Sequence, residues 1–244
     1  MADLEALKKR AALAAVKHVE SGMLVGLGTG STAKYAIQAL GAALSDGRLS
    51  RIIAVVTSEA SGALATSLEI PLVELTGQTL DLAIDGMDEL DPDLNAVKGL
   101  GGALTREKIV ESCATTLILV GDETKRVAYL GEHTPIPVEV VVFGWQATVK
   151  HLEALGCRPT RREQAGQAYV TDNGNYILDC YIDRPDDVYA LAAALSAVPG
   201  VVEHGLFLDM AALAYIATTN EVLRLEKPTL KFNPPNPDPS GTAA

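Results

Sequence analysis

The chain has 244 residues, 48% of them hydrophobic, and its 31 acidic against 20 basic residues give a net charge of -11. That length supports a sizeable core in one large or two small domains. No apolar run approaches the ~18 residues of a membrane-crossing helix, and the acidic balance argues against nucleic acid, whose phosphates call for clustered Lys and Arg.

Apolar positions Leu4, Leu7, Ala11, Leu13, Ala14 and Val16 predict an amphipathic helix over 3–18. The N-terminus alternates charge and alanine, unlike a signal peptide, so a soluble, cytoplasmic protein is expected. Met23-Leu24-Val25 predicts a buried strand running into Gly26-Leu27-Gly28-Thr29-Gly30-Ser31-Thr32, with a helix over 33–44 behind it. Strand, glycine turn with hydroxyls, and helix make a phosphate cradle, because glycines admit the anion and the first helical N–H groups point at it. The third glycine of GxGxxG is missing, no acid ends the next strand, and GxxxxGK[ST] is absent. A small phosphate ester is therefore expected rather than a dinucleotide or a purely structural turn.

A strand over 52–56 ends in the hydroxyl-rich Thr57-Ser58-Glu59-Ala60-Ser61, and a short helix is read over 62–68. Further strands are predicted over 71–75, 82–85 and 117–120, the last followed by Gly121-Asp122-Glu123-Thr124-Lys125. Strands alternating with helices at this spacing predict a Rossmann-like, mostly parallel, doubly wound α/β sheet. Open sheets of this kind bind ligands at the carboxyl ends of their strands. The densest chemistry falls at such an end: Asp85, Asp88, Glu89, Lys98 and Glu107 between Ile84 and Lys108, with a helix starting near Ala103. Glu89, Asp91 and Asp93 are read as a solvated turn. Cys113, Cys157 and Cys180 form no CxxC pair, and His18, His133, His151 and His204 are isolated. Neither a zinc site nor a Ser-His-Asp triad is predicted.

From about Pro135 the texture changes. A strand over 137–142, a helix over 145–155, a strand over 168–171, a hairpin turn Asp172-Asn173-Gly174-Asn175, a strand over 176–181, a helix over 186–195 and a strand from Val201 give a β-α-β-β-α-β order. That order predicts a ferredoxin-like α+β unit. The expected division is 1–132 plus 206–226 as the catalytic domain, 133–205 as a lid or oligomerisation domain, and a proline-rich tail over 227–244.

GLGTGST, TSEAS, DGMDELDP, KGLGGALTREKI, the lysine of GDETK, IPVEV, VTDNGNYILD and PGVVEHGLF occur in that order across residues 3–220. Together they resemble the type A family of ribose-5-phosphate isomerases. The resemblance implies interconversion of D-ribose 5-phosphate and D-ribulose 5-phosphate through an enediolate, in the non-oxidative pentose phosphate pathway. It implies a homodimer or homotetramer and no metal or nucleotide cofactor. It also implies Glu107 as the base, Lys98 as the cation that stabilises the enediolate, Asp85 opening the sugar ring and Asp88 orienting hydroxyls. Thr29, Gly30, Ser31 and Thr32 match the phosphate loop, and Lys125 and Lys8 match further substrate-contacting lysines. Gly86, Met87, Gly99, Leu100 and Gly101 fall in the matching substrate segments. Met87 stands where alanine is usual, and Leu100 replaces a glycine. If Leu100 needs a positive φ, it costs about 1 kcal/mol.

Two opposing influences act on Glu107: a helix N-terminus lowers its basicity, while burial and nearby acids raise it. A sugar-phosphate sensor on the same fold would need neither Glu107 nor Lys98. A related deaminase or lactonase would use a histidine relay, and no histidine lies within 84–108.

Overall fold

The computed structural model describes residues 3–227, and its first helix opens on Asp3, whose carboxylate accepts the N–H groups of Glu5 and Ala6. Such a cap is worth about 1 kcal/mol. The first half runs α1 (Leu4–Val16), β1 (Leu24–Leu27), α2 (Ala33–Ser45), β2 (Ile53–Val56), α3 (Glu59–Ser67), β3 (Leu82–Gly86), β4 (Glu89–Leu90), β5 (Ala96–Val97), α4 (Leu104–Ser112) and β6 (Leu117–Asp122). The second half runs β7 (Ile136–Val140), α5 (Trp145–Ala154), β8 (Arg158–Arg161), β9 (Glu163–Gln164), β10 (Gln167–Ala168), β11 (Tyr176–Tyr181), α6 (Val188–Ser196), β12 (Val201–His204), β13 (Leu206–Phe207), β14 (Leu213–Ala217) and β15 (Val222–Glu226).

The central sheet has the order β15-β14-β6-β3-β1-β2. All its pairings are parallel except β14 with β15. Alternation along β3 and β6 sends Leu82, Ile84, Ile118 and Val120 into one core with α1 and α2. Ala83, Leu117 and Leu119 go to the other face, with Leu104 of α4 and Phe207. Both faces are covered, which is why these strands read as unbroken apolar runs. Asp85 follows Ala83 by two and so shares the face that packs toward α4.

The second sheet has the order β12-β7-β11-β8 and is antiparallel throughout. Counted along the chain its strands lie 4-1-3-2, the ferredoxin-like arrangement that the element order predicts. Val138, Val140, Leu152, Leu178 and Leu195 fill its own core. No helix among the described residues is long and apolar enough to cross a membrane.

Several expected elements differ. The predicted strand over 71–75 is reduced to a single bridge, Leu72 to Ala54, because Pro71 lacks an N–H and the segment lies at the open sheet edge. The predicted strand over 168–171 does not join the sheet. Residues 163–168 fold instead into the β9–β10 ribbon, and the partner of β11 is β8. β8, reading RPTR, shows no apolar alternation because it is an edge strand whose side chains are exposed or half-buried. The turn at 172–175 is present, with Gly174 at φ 80° and the Thr171 N–H donating to Asn175 O at 2.9 Å. α3 starts three residues earlier than expected, because Ser58 caps it by accepting the Ser61 N–H. The tail from 228 onward lies outside the described residues.

Candidate active site

The loop after β1, the segment after β3, the glycine turn before α4 and the turn after β6 meet at the carboxyl edge of the central sheet. They enclose a cavity of about 240 Å³ lined by Thr29, Gly30, Ser31, Thr32, Gly86, Met87, Asp88, Lys98, Gly99, Leu100, Gly101, Glu107 and Lys125. Sites for drug-sized ligands hold about 300–1,000 Å³, so this one suits a small molecule and is too small for a dinucleotide. A larger groove of about 680 Å³ between α1 and α2 brings together no acid–base pair.

Thr32 sits at the N-cap of α2 with its side chain capping nothing, so the hydroxyl and the helix N-terminus face the cavity together. That is an anion site. Ser31 is exposed beside it. Thr29 contributes differently from expectation, because its hydroxyl is turned away into a cluster with Thr57 and Ser58, each at 2.7 Å, and Ser61 at 3.1 Å. The hydroxyls of the TSEAS segment therefore fix the cradle from behind. Lys125 ends a 3-10 turn capped by Asp122 and brings a cation to the rim.

In the same cavity, Lys98 is 2% exposed and its Nζ donates to Gly86 O at 2.7 Å. The same nitrogen lies 2.8 Å from Asp85, 3.2 Å from Glu111 and 3.6 Å from Glu107. Burial would lower Lys98, but the three carboxylates outweigh it and hold the ammonium well above its ordinary value. On Glu107, burial is the largest influence, Lys98 opposes it, and Asp85 and Asp88 reinforce it. The carboxyl is pushed up to about 8. Burial and the neighbouring acids thus outweigh Lys98. Asp88 is also raised by burial, against the Leu100 N–H and the cations Lys98, Lys125 and Arg162.

Asp85 is fully buried and does not line the cavity. It sits beneath Gly28, where a Cβ would fall 2.0 Å from its carboxyl carbon, and accepts the N–H groups of Thr29 at 2.9 Å and Gly86 at 2.6 Å. Its position, closed off from the cavity, does not favour the expected ring-opening role. Lys8 is likewise outside the lining. Its Nζ is held by Glu5 at 2.8 Å, with Lys34 at 3.1 Å and Tyr35 at 2.5 Å on the same carboxylate. Leu100 brings no strain, because the positive φ angles of its turn fall on Gly99 and Gly102. Its N–H donates to Asp88 at 2.9 Å and its side chain is partly exposed.

The solvated turn expected at Glu89 is also corrected. Glu89 is buried and accepts three backbone N–H groups, from Gly131, His133 and Thr134, at 2.6 to 2.7 Å. Asp91 caps its own turn on Asn95 and Asp93 remains exposed.

Sequence reasoning missed four supports of the site. Glu111 lies one helical turn after Glu107, a spacing that places both on one face. Glu139, fully buried, accepts from Thr105 at 2.6 Å, Thr171 at 2.9 Å, Asn173 at 3.1 Å and Asn175 at 2.9 Å. An acid within the apolar run Ile136–Val140 was its signal. Arg106 ties the same turn to α4 through Asn173 and the Asp172 carbonyl. Arg162, paired with Asp179, donates to the carbonyls of Gly99 and Leu100 at 2.9 and 3.0 Å. The smaller sheet thus holds both the glycine turn and the helix that carries Glu107.

A Rossmann-like sheet with an anion cradle and a buried carboxyl–ammonium pair in one small cavity defines an enzyme of proton transfer on a small phosphate ester. Residues 53–221 match the family described as ribose 5-phosphate isomerase A (phosphoriboisomerase A), and the chain belongs to that family. The ribose-5-phosphate isomerase A of Roseiflexus castenholzii is 51% identical over 223 residues, covering 91% of this chain and 95% of the relative. The ribose 5-phosphate isomerase structure from Plasmodium falciparum matches at 37% identity and TM-score 0.90, covering 93% of this chain and all of that one. A D-ribose-5-phosphate isomerase solved in complex with phospho-erythronic acid matches at 40% identity and TM-score 0.89, covering 92% and 100%.

Proposed function

We propose that the cavity isomerises D-ribose 5-phosphate and D-ribulose 5-phosphate through an enediolate, with Glu107 as the base that moves the proton between C1 and C2. The activity follows from family membership. The observation that carries the residue assignment is the Glu107–Lys98 pair, 3.6 Å apart and nearly closed to water, in the same cavity as the phosphate cradle. One carboxylate facing two adjacent carbons can take a proton from either, and a base pushed up to about 8 is matched to removing a weakly acidic carbon proton near neutral pH. The oxygen that becomes negative meets Lys98, an ammonium already oriented by Gly86 and Asp85. The phosphate is assigned to Ser31, Thr32, the α2 N-terminus and Lys125.

Ring opening falls to Asp88 rather than Asp85. Asp88 lines the cavity and burial favours its protonated form, so it can deliver a proton to the ring oxygen. Asp85 acts from below, holding Lys98 and the Thr29 backbone. The division at 132/133 and 205/206, with the smaller unit as lid or assembly domain, is part of the same reading. So is a cytoplasmic homodimer or homotetramer, for which the exposed Val141, Val142 and Phe143 offer a surface.

Glu107→Gln tests the base. Turnover of ribose 5-phosphate, followed as ketose formation in the presence of chelator, is expected to fall by about 10²–10⁴-fold or more. Calorimetric binding of ribose 5-phosphate should stay within about tenfold, because the lost group acts mainly in the transition state. Turnover near wild type ends the assignment.

A further inference from the structure

Where Lys98 and Glu107 line the cavity, Asp85, Glu107 and Glu111 surround the single ammonium of Lys98, and every side chain in the group is between 1% and 4% exposed. Fully ionised, the group would carry a net charge of -2 away from water, an arrangement that proteins relieve by binding protons. The proposed base accounts for one of those protons. Unpartnered oxygens in the group mark the places open to a second. Among the described residues, both carboxyl oxygens of Glu111, Oδ2 of Asp85 and Oε2 of Glu107 are buried without a hydrogen bond of good geometry. One proton on Glu111 converts an orphaned acceptor into a donor for Asp85 and satisfies both.

We infer that Glu111 is a positioning residue for the isomerisation: its neutral carboxyl donates to Asp85 and so fixes Asp85 and Lys98 beneath the sugar.

The groups facing Glu111 support this. Burial is the largest influence and pushes its carboxyl well above the ordinary range. Lys98 opposes, while Asp85, from β3, and Glu107, from the preceding turn of α4, reinforce. Lys108, on the same helix, is held by Glu203 at 2.7 Å, so it does not neutralise Glu111. With Glu111 removed, Asp85 keeps the Thr29 and Gly86 N–H groups on Oδ1 and the Lys98 ammonium 2.8 Å from Oδ2, but loses the second group that fixes Oδ2. Lys98 then has one fewer oxygen to fix its position among Gly86, Asp85 and Glu107. The consequence falls on kcat, since Lys98 acts on the developing oxyanion, and little on ground-state binding through the phosphate.

The inference rests on the proposed roles of Glu107 and Lys98, and two variants separate it from them. Glu111→Leu, similar in size but without a donor, is expected to lower kcat at least about tenfold with KM within about threefold. Glu111→Gln, neutral and able to donate, should recover kcat to within about fivefold of wild type. It should also leave the acid limb of kcat/KM within about 0.3 pH unit, because no charge has been removed. A Gln variant as impaired as Leu, a Leu variant with wild-type kcat, or an acid limb displaced by about a unit in the Gln variant overturns the inference. If the Leu variant fails to fold, the Gln variant's kcat and pH profile decide alone. Wild-type turnover in Glu107→Gln would sink the base assignment instead, whatever the Glu111 variants do.

Discussion

Replacing Lys98 with methionine should destabilise this protein in a strongly pH-dependent way. Among the described residues the ammonium is the one cation within 3.6 Å of three buried carboxyls, and methionine keeps most of its volume while removing the charge. Breaking a buried pair by deleting one partner costs about 3–5 kcal/mol. At about 2–4 °C per kcal/mol for a chain of this size, the melting temperature should drop by roughly 6–20 °C at pH 8.5. At pH 5.5 the loss should be less than about half as large, for a reason of sign. Glu107 and Glu111 have folded-state pKa values raised above their ordinary 4.5. Without Lys98 they rise further, so below them the folded state binds more protons than the unfolded chain. The stability that this contributes is present at low pH and lost as pH rises through the folded values. Urea unfolding of wild type and Lys98→Met at both pH values measures the difference. An equal penalty at pH 5.5 and 8.5, or a more stable variant at pH 8.5, would refute the charge accounting.

The pH profile of wild-type kcat/KM should rise toward an apparent pKa near 8, since Glu107 must lose its proton to act. That value belongs to the coupled cluster, and an acid limb centred near 4.5 would contradict it. Glu89→Ala should lower the unfolding free energy by about 2–4 kcal/mol, because three backbone N–H groups lose their acceptor. Denaturant titration checks this, and a change within about 0.5 kcal/mol would restore the solvated-turn reading.

Much of the site was readable because it is local. Gly28 through Thr32 follow a buried strand and open a helix, and Lys98 and Glu107 flank one glycine turn. Short-range geometry settles where such segments go. What failed to show were groups whose role depends on what packs against them. α4 reads LTREKIVES, with acids at both Glu107 and Glu111 where a core-facing stripe would be apolar, and both are buried. A pattern search expects acids on a solvated face, and only the approach of Lys98 from the neighbouring turn reverses that. Glu89 misled and Glu139 was missed for the same reason, since their partners lie more than 30 residues away in the chain.

The amino-acid order by itself determined the mostly parallel sheet, the β-α-β-β-α-β unit, the anion cradle and the pairing of one lysine with one glutamate beside it. Periodicity, glycine placement and caps act within a turn or a strand, so they are written in adjacent residues. Tertiary structure alone decided that Asp85 lies under the floor while Asp88 faces the cavity, and that the second sheet clamps the helix carrying Glu107. Burial and charge proximity set those outcomes, and both depend on segments distant in the chain that meet only when the sheet closes.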